Sequence, residues 1–192
     1  MKIHGDSNSG NCLKVKWACD RLALPYRWIA VDTMKRETHT PQFLALNSAG
    51  QVPVVEFDDG RTLSQSNAII RYLARGSTLI PADVFAEAKM DEWLFWEQYS
   101  HEPYIAVCRF QMVYQQATEL DPDQVKRGYA ALDRMEQHLA GSRFLVGDVF
   151  SLADVALLAY TRVAHEGGFD LARYPSIRRW IAAGEMELGL PA

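Results

Sequence analysis

Apolar residues along this chain change their spacing once, and the change divides it in two. In the first third they fall in short runs cut by Pro, Gly and Asp. Residues 1–4 read as a strand. Leu13, Val15, Trp17, Ala18 and Leu22 share one face of a helix over residues 12–22. Leu24-Pro25 ends that helix, because proline disfavours a helical residue before it. Residues 26–31 form a second strand, and Thr40-Pro41 starts a short helix through Phe43, Leu44 and Leu46. Val54 and Val55 then precede Asp58-Asp59-Gly60, after which residues 61–63 return beside the first run. An Asp-Gly turn between apolar runs is a strong hairpin signal. Ala68, Ile69, Ile70, Tyr72 and Leu73 complete the unit with a helix over 65–75. The predicted order is β-α-β-α-β-β-α.

Beyond this unit strand signals almost vanish. Gly76, Pro81 and Asp83 break the pattern, so residues 1–76 form one domain, 77–86 a linker and 87–192 a second, all-helical domain. Residues 86–116 predict a long helix carrying Met90, Trp93, Leu94 and Phe95. Pro103 should kink or interrupt it, since proline removes an N–H and crowds the preceding turn. Val125, Tyr129, Leu132, Met135 and Leu139 mark a clean amphipathic helix over 122–139. Ser151-Leu152-Ala153-Asp154 has the form of a capping box, in which hydroxyl and carboxylate satisfy backbone donors at a helix start. Ser151 and Asp154 are therefore read as folding determinants. Tyr174-Pro175 and Trp180-Ile181 predict a last pair of short helices.

Composition narrows the functional classes. The 192 residues are 48% hydrophobic and 23% charged, the profile of an ordinary soluble globular protein. The net charge is −4, and the Lys and Arg residues do not form the concentrated basic patch of a nucleic-acid surface. No run approaches the roughly 20 apolar residues of a membrane span. The first residues lack the apolar segment of a signal peptide. Cys12, Cys19 and Cys108 are an odd count with no disulfide framework, as expected of reduced thiols in the cytoplasm. His4, His39, His101, His138 and His165 lack zinc-ligand spacing, so no metal is expected.

Chemistry concentrates in two places. At Val52-Pro53, proline fits only where no ladder bond is needed, and its neighbours keep backbone groups that a peptide can use. Gln65-Ser66 opens a helix, where a hydroxyl and N–H groups can hold a carboxylate. This arrangement resembles the glutathione site of the soluble glutathione S-transferases. The resemblance covers essentially the whole chain and implies a thioredoxin-like α/β domain followed by an all-α domain. It implies a cis-proline at Pro53 facing the cysteinyl part of glutathione, and Gln65-Ser66 at the γ-glutamyl end.

The second place is Ser7-Asn8-Ser9-Gly10-Asn11-Cys12, between the first strand and first helix. A dithiol redox protein would carry C-x-x-C here. This chain has only Cys12, so ordinary disulfide exchange is not expected. The resemblance implies that Ser9 donates a hydrogen bond to the glutathione sulfur. Asn11 stands where the family usually has proline, and its amide is a second available donor. Ser7 and Cys12 are rivals, and a plain helix cap is the structural alternative for Ser9. For the glycyl carboxylate, the segment 35–39 offers Thr38 and His39, and Gln51 can donate an amide. Tyr104 and Arg109 are candidates for the electrophile pocket, Arg109 because a cation among apolar neighbours needs a partner.

The expected function is glutathione transfer to small hydrophobic electrophiles, a detoxification chemistry. Glutathione is the co-substrate, and the family usually forms homodimers. The alternatives are a non-catalytic binding protein of the same fold, or a glutathione-dependent isomerase, dehalogenase or peroxidase.

Overall fold

Strand β1 (Lys2–Gly5) is the axis on which the N-terminal sheet is built. It pairs in parallel with β2 (Arg27–Ala30) and antiparallel with β3 (Val54–Glu56), which in turn pairs with β4 (Thr62–Ser64). The sheet order is β2-β1-β3-β4. The computed structural model describes residues 1–191 and divides the chain into two units, Met1–Ser77 and Thr78–Ala192.

In the first unit, helices α1 (Gly10–Arg21), α2 (Pro41–Leu46) and α3 (Ser66–Leu73) accompany the sheet, in the predicted order. Alternation puts Ile3 and Val55 on one face of the sheet, both fully buried. Val54, on the other face, packs with Val31 and Phe43 beside Leu46 and Val52. Gly5 is a site of close approach: a Cβ there would lie 2.7 Å from the Trp28 ring and 3.2 Å from Cys12 Cβ. Only glycine lets the start of α1 come this near the end of β1. Thr40 caps α2, its Oγ1 accepting the Phe43 N–H at 3.3 Å.

The second unit contains α4 (Val84–Trp96), α5 (Glu102–Val113), α6 (Pro122–Leu139), α7 (Leu152–Thr161) and α8 (Pro175–Leu188). The expected interruption of the long helix over 86–116 is a π-helical turn, Glu97–His101, which joins α4 to α5 just before Pro103. Pro103 lies in the first turn of α5, where its missing N–H costs nothing. Widening the preceding turn accommodates its ring without breaking the rod. Part of the segment expected as a linker also belongs to this unit: Leu79 is buried, and its carbonyl accepts the Leu152 N–H at 3.0 Å.

All ten residues of α7 are buried, and Asp154 organises its start. Asp154 Oδ2 accepts the Ser151 N–H at 2.9 Å and the Ser151 hydroxyl at 3.1 Å. Oδ1 accepts the Leu145 N–H at 2.9 Å and Trp180 Nε1–H at 2.8 Å. One carboxylate thus ties α7, the preceding loop and α8 together. The predicted pair of short C-terminal helices is one helix of 14 residues. Its N–H groups at Ser176 and Ile177 are both taken by the Glu136 carboxylate from α6, at 2.9 Å each. Gly184 lies within it where a Cβ would crowd Leu158 at 3.1 Å, and the helix runs on to Gly189 at φ 63°.

Burial pushes the Asp154 carboxyl up to about 6, against the downward pull of its four donors. Between the ordinary aspartate value of 3.8 and about 6, the folded chain keeps a proton that the unfolded chain has released. This residue's share of stability therefore declines as pH rises through that window. Asp154→Ala leaves buried donors without an acceptor, so urea unfolding should show a loss of about 3 kcal/mol or more.

Candidate functional site

The start of α1 is set by the loop before it. Asp6 accepts the Asn8 N–H through Oδ1 at 2.9 Å, and Oδ2 accepts the Thr33 hydroxyl at 2.6 Å. This carboxylate fixes the turn that delivers Ser9, and no motif in the sequence marked it. Ser9 is the N-cap of α1, with φ −83° and ψ 119°. Its carbonyl accepts the N–H groups of Cys12 at 3.0 Å and Leu13 at 2.9 Å. Its hydroxyl is not spent on the helix's own N–H groups, so it is not a plain side-chain cap. It lies instead against the Cys12 thiol.

Cys12 is fully buried, and burial pushes its thiol up to about 11. A thiol so placed is a packing residue rather than a nucleophile. Ser7 is exposed on the turn.

Asn11 does more than border the helix start. Its Oδ1 accepts from Lys14 Nζ at 2.8 Å and from Ser66 Oγ at 3.1 Å. Ser66 is the first residue of α3 and is 5% exposed. The starts of α1 and α3 are therefore joined through one amide oxygen. Gln65, at the N-cap of α3, has φ 70° and ψ 108°, a backbone conformation that L side chains rarely adopt. Such geometry persists only where the surroundings impose it, and it clusters at ligand sites.

The hairpin brings the other predicted residues to the same end of the sheet. Val54 pairs with Ser64, which sets Pro53 opposite Gln65, and His4 pairs with Val54, which sets the end of β1 beside Pro53. The Val52-Pro53 peptide is cis. The Gln51 carbonyl accepts Asn47 Nδ2–H at 2.8 Å, which pins the approach to Pro53. Gly50 has φ 62°, and a Cβ there would lie 3.4 Å from the Thr38 carbonyl and 3.5 Å from His39 Cε1. The His39 ring thus sits beside Gly50-Gln51. Thr38 is buried, and its hydroxyl meets His39 Nδ1 at 2.9 Å. His39 is the exposed member of that pair, and Thr38 orients it.

Tyr104 and Arg109 lie on α5 in the second unit. Tyr104 Oη accepts Arg127 Nη1–H at 3.1 Å. Arg109 Nε bonds Glu166 Oε2 at 2.6 Å, so the cation that needed a partner has a carboxylate. That ion pair is a sufficient reason for Arg109 without a substrate. Among the described residues no group of three or more His, Cys, Asp or Glu side chains could hold a metal ion. No helix there is long and apolar enough to cross a membrane.

A four-stranded mixed sheet with a cis-proline beside two helix starts defines the class of a thioredoxin-like domain. Family models confirm the assignment. Residues 8–75 match the N-terminal domain of glutathione S-transferase and residues 111–183 match the C-terminal domain. The chain is 32% identical to glutathione S-transferase 3 of Zea mays, over 95% of this chain and 88% of that protein. A crystal structure of glutathione S-transferase from Pseudomonas fluorescens superposes with a TM-score of 0.91 at 47% identity, covering 96% of this chain and 94% of that one. Elongation factor 1-gamma of Danio rerio is 32% identical over 78% of this chain but only 35% of its own length. The chain belongs to the glutathione S-transferase family.

Because Cys12, Cys19 and Cys108 are all buried, the folded protein should react with a thiol-directed disulfide reagent only slowly. Titration with the reagent should release all three thiols only after unfolding. Rapid mixed-disulfide formation at Cys12 in the folded protein would return it to the list of reactive groups.

Proposed function

We propose that this transferase binds glutathione at the end of its N-terminal sheet and stabilises the bound thiol as a thiolate, which attacks small hydrophobic electrophiles. The observation that carries this reading is the Ser9 hydroxyl, held at the start of α1 and unused as a helix cap. A donor to sulfur, together with the positive end of a helix, favours thiolate over thiol. The free thiol is mostly protonated near neutrality, so a lowering of two units would raise the thiolate fraction by up to about a hundredfold. Asn11 supplies a second donor. The N–H and hydroxyl of Ser66 and the strained Gln65 receive the γ-glutamyl end. The backbone at Val52-Pro53 pairs with the cysteinyl residue. His39, oriented by Thr38, and Gln51 meet the glycyl carboxylate. The thiolate is the nucleophile, and Ser9 stabilises it without bonding to the electrophile.

We further propose a cytoplasmic homodimer. Phe95 and Tyr99, one helical turn apart, are 77% and 83% exposed, while Trp93 and Leu94 just before them are buried. Such apolar area on one helix face supports a partner surface. Similarity to elongation factor 1-gamma supports a second reading, a binding protein of this fold without turnover.

Retention on immobilised glutathione and a model-electrophile assay test the first reading together. Turnover should fall by about tenfold to a hundredfold in Ser9→Ala, as expected for one to two pKa units at the sulfur, and stay near wild type in Ser7→Ala. A Ser9→Ala enzyme at wild-type rate would remove Ser9 from its role. Absence of glutathione binding in calorimetry would favour the second reading. Phe95→Glu should convert a dimer to monomers in sedimentation.

A further inference from the structure

Lys14 is fully buried, an uncommon place for an ammonium group, and it lies on α1 one turn below Asn11. Its Nζ is 2.8 Å from Asn11 Oδ1. An ammonium group has donors and no acceptor, so the atom of the Asn11 amide that faces it must be oxygen. The Ser66 hydroxyl, 3.1 Å from the same oxygen, donates to it as well. Two donors on one side of a planar amide determine its orientation: Oδ1 turns toward Lys14 and Ser66, and the Nδ2 end turns away from both.

We propose that Lys14 is a positioning residue that holds the Asn11 amide with its oxygen inward, so that Asn11 meets the glutathione sulfur as a donor and never as an acceptor. The sense of the amide matters because its two ends have opposite effects on a thiolate. An N–H stabilises the anion, and a carbonyl oxygen in the same place repels it. The charge of Lys14 adds a second effect. Drawing electron density toward Oδ1 makes the amide N–H a stronger donor, and burial keeps water from screening this. Ser66, donating its hydroxyl hydrogen bond to Asn11, keeps its backbone N–H and hydroxyl lone pairs for the γ-glutamyl group. The start of α1 and the start of α3 therefore share one orienting cation.

This inference rests on the reading of the site as a thiolate-stabilising glutathione site. A double-mutant cycle of Lys14→Met and Asn11→Ala tests it, read by thiolate absorbance of bound glutathione and by kcat and KM at neutral pH. Each single variant should lose thiolate absorbance and about tenfold in kcat, the equivalent of about one pKa unit at the sulfur, with little change in KM for glutathione. The double variant should be no worse than Asn11→Ala alone, because Lys14 acts through that amide. Independent, multiplying losses would overturn the proposal, and so would full thiolate absorbance in Lys14→Met. If the Met variant does not fold, Lys14→Gln enters the same cycle under the same criterion. Loss in Asn11→Ala without loss in Lys14→Met overturns the role of Lys14 alone. Full absorbance in both Ser9→Ala and Asn11→Ala overturns the thiolate reading itself.

Discussion

The bond from Ser66 Oγ to Asn11 Oδ1 joins two helix starts that are 55 residues apart in sequence. Each helix directs unpaired N–H groups and a partial positive charge toward its first turn. The chain brings the two ends together with a shared amide oxygen as the acceptor. Lys14 contacts the same oxygen, which adds a full positive charge to the same corner. The result is a pole of the first unit that favours anionic groups. Under the proposed function, the anionic groups of glutathione would meet this pole.

This corner depends on features whose purpose is local geometry. Gly5 admits α1 to the sheet, Asp6 holds the turn before Ser9, and Asn47 pins Gln51 ahead of the cis-proline. Each fixes where a donor stands, and a displaced donor loses most of its effect on an anion. The positive φ at Gln65 belongs to the same group, since it turns the chain from β4 into α3 so that Ser66 reaches Asn11.

In the second unit the corresponding element is the Asp154 carboxylate, which gathers donors from its own cap, the preceding loop and Trp180. The capping-box spacing foretold one of these contacts. The other two come from residues 9 and 26 positions away, and only packing brings them to the same carboxylate. Glu136 at the start of α8 follows the same logic across 40 residues. Local motifs in this protein serve as anchors for long-range ones.

The order of strands and helices in the first unit, the hairpin at Asp58-Asp59-Gly60, the α6 helix and the cap at Ser151 were legible in the sequence. Their signals are periodicity, turn chemistry and short spacing, which act over a few residues. The split of the long helix at residues 97–101 was legible only as an expected disturbance at Pro103. Whether that became a kink, a break or a π turn depended on the packing of the neighbouring turns. Ser9, Asn11, Pro53 and Ser66 were visible as residue types at particular turns. Which way the Asn11 amide points, that Lys14 lies buried beneath it, that Thr38 turns inward while His39 turns outward, and that Arg109 meets Glu166 were decided by the tertiary structure. Each depends on groups distant in sequence or on whether water reaches a side chain, and neither is encoded in local spacing.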